Sequence, residues 1–435
     1  MKIVHIVPGT GGSFYCENCV RDSGLVKALR ELGHEVIMVP MYLPLVIDEP
    51  DLTEETPIFF GAINIYLKQK FPLFKKAPQW IERLFDSSIL LHWAARKAGS
   101  TRASGLEEMT LSMLRGEEGS QAAELEQLVT WLAGEGKPDV VYLANALLLG
   151  LARRIKKELG TPIVCALQDE DTWLNKMENS YAQLIWQTLS ERAKDVDAFV
   201  AVSHYYSNII QERMQIQPER MRIAHVGIDL SGYETTTLPF NPPVIGYLSR
   251  MSESLGLGIL VDAFIRIKDH ERLRNSKLYI TGGQTGDDRK FIGRLKKKLA
   301  EKNCLEDVKF FQNFDKNHRI QFLRSLTVLS VPITTGEAFG TFQIEALAAG
   351  VPVVQPKIGA FPEFINETCG GVLYEPNDTD SLARALRSLL LEPERVRELS
   401  ECGRESVLKQ FSNECMAKKM IEIYESVRKS AQNIE

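Results

Sequence analysis

Residues 2–40 read KIVHIVPGTGGSFYCENCVRDSGLVKALRELGHEVIMVP, and their pattern decides the fold class. KIVHIV (2–7) is a short apolar run, a glycine-rich turn follows it, and VRDSGLVKALREL then carries helical spacing. Gly33-His34 ends that stretch before a second apolar run, EVIMVP. Apolar runs this short, bounded by glycine, are expected to be strands, and a strand, helix, strand succession is a βαβ unit. Further runs at DVVYLA (139–144), PIVCAL (162–167) and DAFVAVS (197–203), each followed by a helical segment, extend the unit into a parallel sheet. Residues 1–235 are therefore expected to form one doubly wound α/β domain.

GYETTTLPFNPP (232–243) interrupts the periodicity with threonines and three prolines, as an interdomain linker would. The alternation then restarts with VIGYLS, KLYITG, VKFFQN, TVLSVP and VPVVQP, giving a second parallel domain over 243–410 without any sequence repeat. Two such domains, facing a cleft, are expected to bind ligands beyond the carboxyl ends of their strands. Residues 48–135 do not fit this rhythm. Their lysine-, phenylalanine- and tryptophan-rich part, 66–97, reads either as a helical insertion packed on the first domain or as a peripheral membrane contact.

Composition narrows the classes. The chain has 435 residues, 44% of them hydrophobic, with a formal net charge of −5, which suits a soluble two-domain protein and gives no footprint for nucleic acid. The first apolar run is too short for a signal peptide, so a cytoplasmic location is expected. Seven cysteines at low density, Cys16, Cys19, Cys165, Cys304, Cys369, Cys402 and Cys415, read as reduced thiols.

The chemistry concentrates in GEAFGTFQIEALAAGVPVV (336–354). A strand ends at Pro332, a turn runs from Gly336 to Gly340, and a helix opens at Thr341. Gly340 is expected to let the backbone approach a ligand, while the free N–H groups of the helix start attract an anionic phosphate. Carboxylates suit adjacent sugar hydroxyls instead. Glu337 before the helix and Glu345 within it could thus touch the two ends of a sugar, phosphate, sugar ligand.

These residues resemble the Glu, seven residues, Glu signature of retaining glycosyltransferases of the GT-B fold, family four, the group one glycosyl transferases. GYLSRMSESLGLGILVDAF (246–264), PKIGAFPEFINETCGGVLYEPNDTDSLARAL (356–386) and MKIVHIVPGTGG with LRELGHEV are similar to further parts of that family's pattern. The resemblance implies that Glu337 contacts the transferred sugar and Glu345 the ribose of a nucleotide-sugar donor, with Arg250 on the diphosphate. Phe339, Gly340, Thr341, Gly11 and Gly12 would line the donor, Gln168 and Asp169 would face an unknown acceptor, and residues 411–435 would cross back to the first domain. It implies no metal and no other cofactor. Two positions depart from the pattern: Leu255 stands where the family has a lysine, and Gln168 where it has a histidine. They motivate the alternative of a nucleotide-sugar-binding homologue with weak or no transfer; an epimerase or phosphorylase of nucleotide sugars is a further one.

Other motifs compete less well. The glycine loop has Phe14 in place of the third glycine of a dinucleotide fingerprint, and VIMVPMY lacks the acid that would hold a ribose. Asp169-Glu170-Asp171 could be a metal-binding acidic turn, and Cys16-Glu17-Asn18-Cys19 has metal spacing without a second pair. His204 and His225, beside apolar runs, read as structural histidines.

Overall fold

The computed structural model describes residues 1–8, 15–41, 106–234 and 237–432. Gly11, Gly12 and the 66–97 segment lie outside these. The described residues divide into two units: Met1–Gly12, Asn18–His225 and Met416–Glu435 form the first, Ser13–Glu17 and Val226–Cys415 the second. The proline-rich 232–243 stretch thus falls inside the second unit.

The first unit holds a parallel six-stranded sheet in the order β2-β1-β3-β4-β5-β6. These strands are β1 (Lys2–Val7), β2 (Glu35–Pro40), β3 (Val140–Leu143), β4 (Ile163–Leu167), β5 (Ala198–Ala201) and β6 (Met221–Ile223). Ile3 pairs with Val36 on one side and Val140 on the other, and Val164 with Ala198. Every residue of β3, β4 and β5 is buried, which is why these runs are continuously apolar rather than alternating. Helix Glu17–Glu31 returns Leu25 and Leu29 to the sheet, and helix Asn413–Gln432 adds Met416, Met420, Ile423 and Tyr424 to the same core. Each such aliphatic side chain contributes about 1.5–3 kcal/mol on full burial. Of the 48–135 insertion, the described part contains helices Glu107–Arg115 and Ala122–Trp131.

The second unit repeats the plan in the order β12-β11-β10-β7-β8-β9, again all parallel. Its strands are β7 (Val244–Leu248), β8 (Lys277–Thr281), β9 (Val308–Phe310), β10 (Val328–Leu329), β11 (Val353–Pro356) and β12 (Gly371–Tyr374). Two doubly wound parallel sheets are the architecture expected from the alternation of runs. Among the described residues, no helix is long and apolar enough to cross a membrane.

The reduced-thiol reading needs correction. Cys369 and Cys402, 33 residues apart, form a disulfide with Cα atoms 5.9 Å apart. Cys369 takes a left-handed φ of 47° to end helix Phe361–Thr368, and Cys402 lies on the packed helix Pro393–Gln410. Only that helix packing brings them together, so spacing gave no sign of it. Cys16 and Cys19 are also disulfide-bonded, whereas Cys165, Cys304 and Cys415 are free.

Candidate active site

In the second unit, β10 leads through residues 330–340 into helix Thr341–Ala348, which is buried along its whole length. Gly340 has φ 86°, a left-handed value that disfavours any side chain. A Cβ there would lie 3.1 Å from Phe342, Gln343 and Phe361. A side chain at this position would therefore press on the protein's own Phe342, Gln343 and Phe361. Gly359, at φ 65°, is where close backbone approach occurs: a Cβ would stand 2.5 Å from the amide nitrogen of Glu337. Ala360 then donates its N–H to the Glu337 carbonyl at 3.0 Å, tying the two loops together. The Glu337 side chain is half-buried, and its Oε1 accepts the Ala338 N–H at 3.1 Å.

Glu345 is buried, 1% exposed, and its carboxylate is fully engaged. Oε1 accepts from Arg319 Nε at 3.0 Å and from the Tyr233 hydroxyl, and Oε2 accepts from the Tyr15 hydroxyl at 2.5 Å. The Tyr15 ring lies 5.0 Å from the Arg319 guanidinium. Burial, together with the nearby Glu345 charge, holds the Tyr15 and Tyr233 hydroxyls well above their ordinary range, so both donate. The Thr341 N–H, where an anion was expected, donates to the Glu17 carboxylate. The Phe339 ring is buried against Phe364 and Phe411, at 5.6 and 6.0 Å, so what it offers a ligand is its backbone.

Arg250 follows β7. Its guanidinium forks onto Asp288, Nε to Oδ2 at 2.9 Å and Nη2 to Oδ1 at 3.1 Å, and reaches Thr285 Oγ1 at 2.8 Å. A planar fork of this kind is strongly directional. Arg250 is consequently fixed at the carboxyl end of the sheet by a counter-ion, and Leu255 contributes a carbonyl that accepts the Tyr247 hydroxyl at 3.2 Å. Beside these residues a cavity of about 270 Å³ opens beyond β7, β8 and β9, lined by Met251, Gln284, Ile292, Phe311, Gln312 and Phe314 among others.

In the first unit, β4 ends at Gln168. Its N–H donates to Glu170 Oε2 at 2.8 Å, and its Nε2 to the Ala144 carbonyl at 3.3 Å. Asp169 stands in a left-handed turn at φ 58°, which for a residue with a side chain is costly and is sustained by its surroundings. Glu170, 1% exposed, supplies them: Oε1 accepts the Ala146 N–H at 2.9 Å and Oε2 the Tyr206 hydroxyl at 2.7 Å, while Tyr206 accepts the Glu170 N–H. Burial pushes the Glu170 carboxyl up to about 7, against the opposing effect of those hydrogen bonds. Nearby, His5 is wholly buried 3.8 Å from Asp22, which Arg21 holds at 2.6 Å, and burial lowers the His5 pKa. Among the described residues, no cluster of three or more acidic, cysteine or histidine side chains is placed to bind a metal.

Sequence reasoning missed Arg319, Tyr233 and Tyr206, and saw Glu170 only as one of three acids in a row. A charge within an otherwise apolar helix face, Arg319 beside Ile320, Phe322 and Leu323, was the one available signal.

Residues 112–231 match the model for Glycosyltransferase Family 4 and residues 234–406 that for Glycosyl transferases group 1. The chain belongs to the group 1 glycosyltransferases of the GT-B fold. It is 26% identical over 252 residues to an alpha-maltose-1-phosphate synthase of Mycolicibacterium smegmatis, an alignment covering 53% of this chain and 63% of the relative. The chain thus spans less than two thirds of that relative's length. It is 24% identical over 331 residues to an MMP alpha-(1->4)-mannosyltransferase of Mycolicibacterium hassiacum, covering 69% of this chain and 78% of the relative. The fold is similar to that of Anabaena HepE, solved in complex with UDP: TM-score 0.68, 16% identity, covering 98% of this chain and all of that one.

Proposed function

We propose that this chain transfers a sugar from a nucleotide-sugar donor to an acceptor hydroxyl with retention of configuration, without a metal. The observation that carries the reading is the Glu337 to Glu345 turn, which follows β10 in the same unit as Arg250 and the 270 Å³ cavity, with Arg319 bonded both to Glu345 and to Phe314 of the cavity wall. The cavity, walled by Phe311, Phe314, Met251 and Ile292 with Gln284 and Gln312 as polar groups, suits a flat heterocycle that needs a few hydrogen bonds. Glu345 lies where a ribose hydroxyl could take the place of the Tyr15 hydroxyl on Oε2. Glu337, half-buried in the preceding turn, is assigned to the hydroxyls of the sugar. Arg250 would share the diphosphate charge as it leaves with the N-terminus of helix Thr341–Ala348, provided the Glu17 carboxylate gives up the Thr341 N–H. That the similar Anabaena fold was solved with UDP makes a uridine donor the first to try.

A second reading, donor binding with little transfer, is favoured by Gln168 being spent on the Ala144 carbonyl and by Leu255 offering no cation. Incubation with UDP-, GDP- and ADP-sugars, followed by measurement of nucleoside diphosphate release, separates the two. Release with at least one donor, undiminished by EDTA, is expected. Tight binding without release supports the second reading; no binding of any donor refutes both, and loss of release in EDTA restored by manganese refutes the metal-free claim.

A further inference from the structure

We propose that Arg319 is a positioning residue that ties the base cavity to Glu345 and so carries discrimination between nucleobases. The proposal rests on the donor-site reading above. Arg319 is 4% exposed on helix Lys316–Arg324, whose other buried positions are apolar. Its Nε donates to Glu345 Oε1 at 3.0 Å and its Nη1 to the Phe314 carbonyl at 2.8 Å. Phe314 is part of the cavity wall, and Asp315 directly after it caps the same helix, accepting the His318 N–H at 3.2 Å. One guanidinium therefore bonds at the same time to the carboxylate assigned to the ribose and to the backbone enclosing the base. Because that group is planar with donors at fixed angles, the distance between its two partners is set by its own covalent geometry.

Stability alone explains such a pair poorly. Desolvating two charges costs several kcal/mol each, and an apolar pair of similar volume often serves a core as well or better. What the apolar pair cannot do is hold Oε1 and the Phe314 carbonyl in register. Tyr233 strengthens the arrangement from the other side: its hydroxyl donates to the same Oε1, and its carbonyl accepts from Arg404 Nη1 at 2.7 Å. With Oε1 held twice, Oε2 is the oxygen directed to a hydroxyl partner, which in this structure is Tyr15. A base of the wrong size would have to move the 311–314 wall, and through Arg319 would displace the carboxylate that receives its own ribose.

The test is the dissociation constant of UDP, GDP and ADP for the wild-type chain and for Arg319→Lys, which keeps the charge and loses the fork. Wild type is expected to prefer one nucleotide. In Arg319→Lys that nucleotide should weaken about tenfold, the worth of a charge-assisted hydrogen bond, while the others change less, so that the preference ratio falls at least about fivefold by the same reasoning. A uniform loss of all three would mark a structural role and overturn the proposal, as would an unchanged ratio or a wild type with no preference. If none of the three binds the wild type, the donor-site reading itself has failed. Should Arg319→Lys melt below the assay temperature, Glu345→Gln is compared with Glu345→Gln/Arg319→Met, in which both buried charges are gone. A further loss of base preference in the double variant supports the tether to Phe314, and an identical preference in the two overturns it.

Discussion

Glu170→Gln should remove a pH dependence of stability whose size follows from the burial of that carboxyl. Glu170 titrates at about 7 in the folded chain against an ordinary 4.5, so between those values the native state binds a proton that the unfolded state has released. Stability then falls as pH rises. The contribution is fully present below about pH 4.5 and is lost as pH passes through about 7. Its size is about 3 kcal/mol, at about 1.4 kcal/mol for each tenfold change in proton affinity. The substitution has a constant cost too. Glu170 accepts two backbone N–H groups, from Ala146 and Gln168, and the Gln amide must turn a donor towards one of them, losing about 1–3 kcal/mol at every pH. His5, whose pKa burial lowers, contributes in the opposite direction but does so in both proteins. Urea unfolding of each at pH 5 and pH 8 gives the difference between them, expected to shrink or reverse by about 3 kcal/mol across that window. A constant difference would mean that Glu170 stays ionised in the fold across that window, and the raised Glu170 pKa would be refuted.

Glu345→Gln should weaken both free nucleoside diphosphate and nucleotide sugar about 10- to 100-fold, while Glu337→Ala should spare the free nucleotide; calorimetric titration reads both, and equal losses for both ligands in both variants would contradict separate ribose and sugar contacts. Glu345→Ala strands the buried Arg319 charge and should lose about 3–5 kcal/mol in denaturant melts. Gly340→Ala forces a side chain into a left-handed φ of 86° with three neighbours at 3.1 Å, so a loss of about 1–3 kcal/mol is expected from strain, and an unchanged melting temperature would show that the turn relaxes freely. Replacing Cys369 and Cys402 together by alanine should cost about 3–4 kcal/mol, from the closure entropy of a 33-residue separation, with reducing agent destabilising the parent by that much more than the variant, in which Cys16 and Cys19 remain disulfide-bonded.

The sheets were legible because parallel strands buried on both faces leave continuous apolar runs, as in IVCAL and VIGYL. Two of the four edge strands were harder. β6 is three half-buried residues, Met-Arg-Ile, with no run to detect, and β12 is similarly half-exposed. At the site, the two glutamates and Arg250 could be singled out because they lie close to turn and strand ends, where local pattern carries meaning. Arg319 and Tyr233 gain theirs only by meeting Glu345 across 26 and 112 residues. Glu170 likewise becomes a near-neutral titrating group only when folding buries it, against the opposing hydrogen bond from Tyr206, 36 residues on. Nothing local in the sequence signals that the Phe339 ring packs with Phe364 and Phe411, which lie 25 and 72 residues on, and leaves its backbone on the turn.

The chain leaves the first unit at His225 and re-enters it at Met416, and this connectivity sets an order on synthesis. A chain made from its N-terminus completes all six strands of the first sheet early, yet Met416, Met420, Ile423 and Tyr424, which pack on Leu25, Met38 and Tyr142, are translated only after the whole of the second unit. Until then one flank of the first core has no cover, while the second unit already has every strand and helix of its own. The nascent protein therefore carries an open apolar surface for the time it takes to make nearly two hundred further residues, about 10–40 s at 5–20 residues per second. An incomplete chain lacking its last helix is thus expected to engage chaperones through its first half rather than its second.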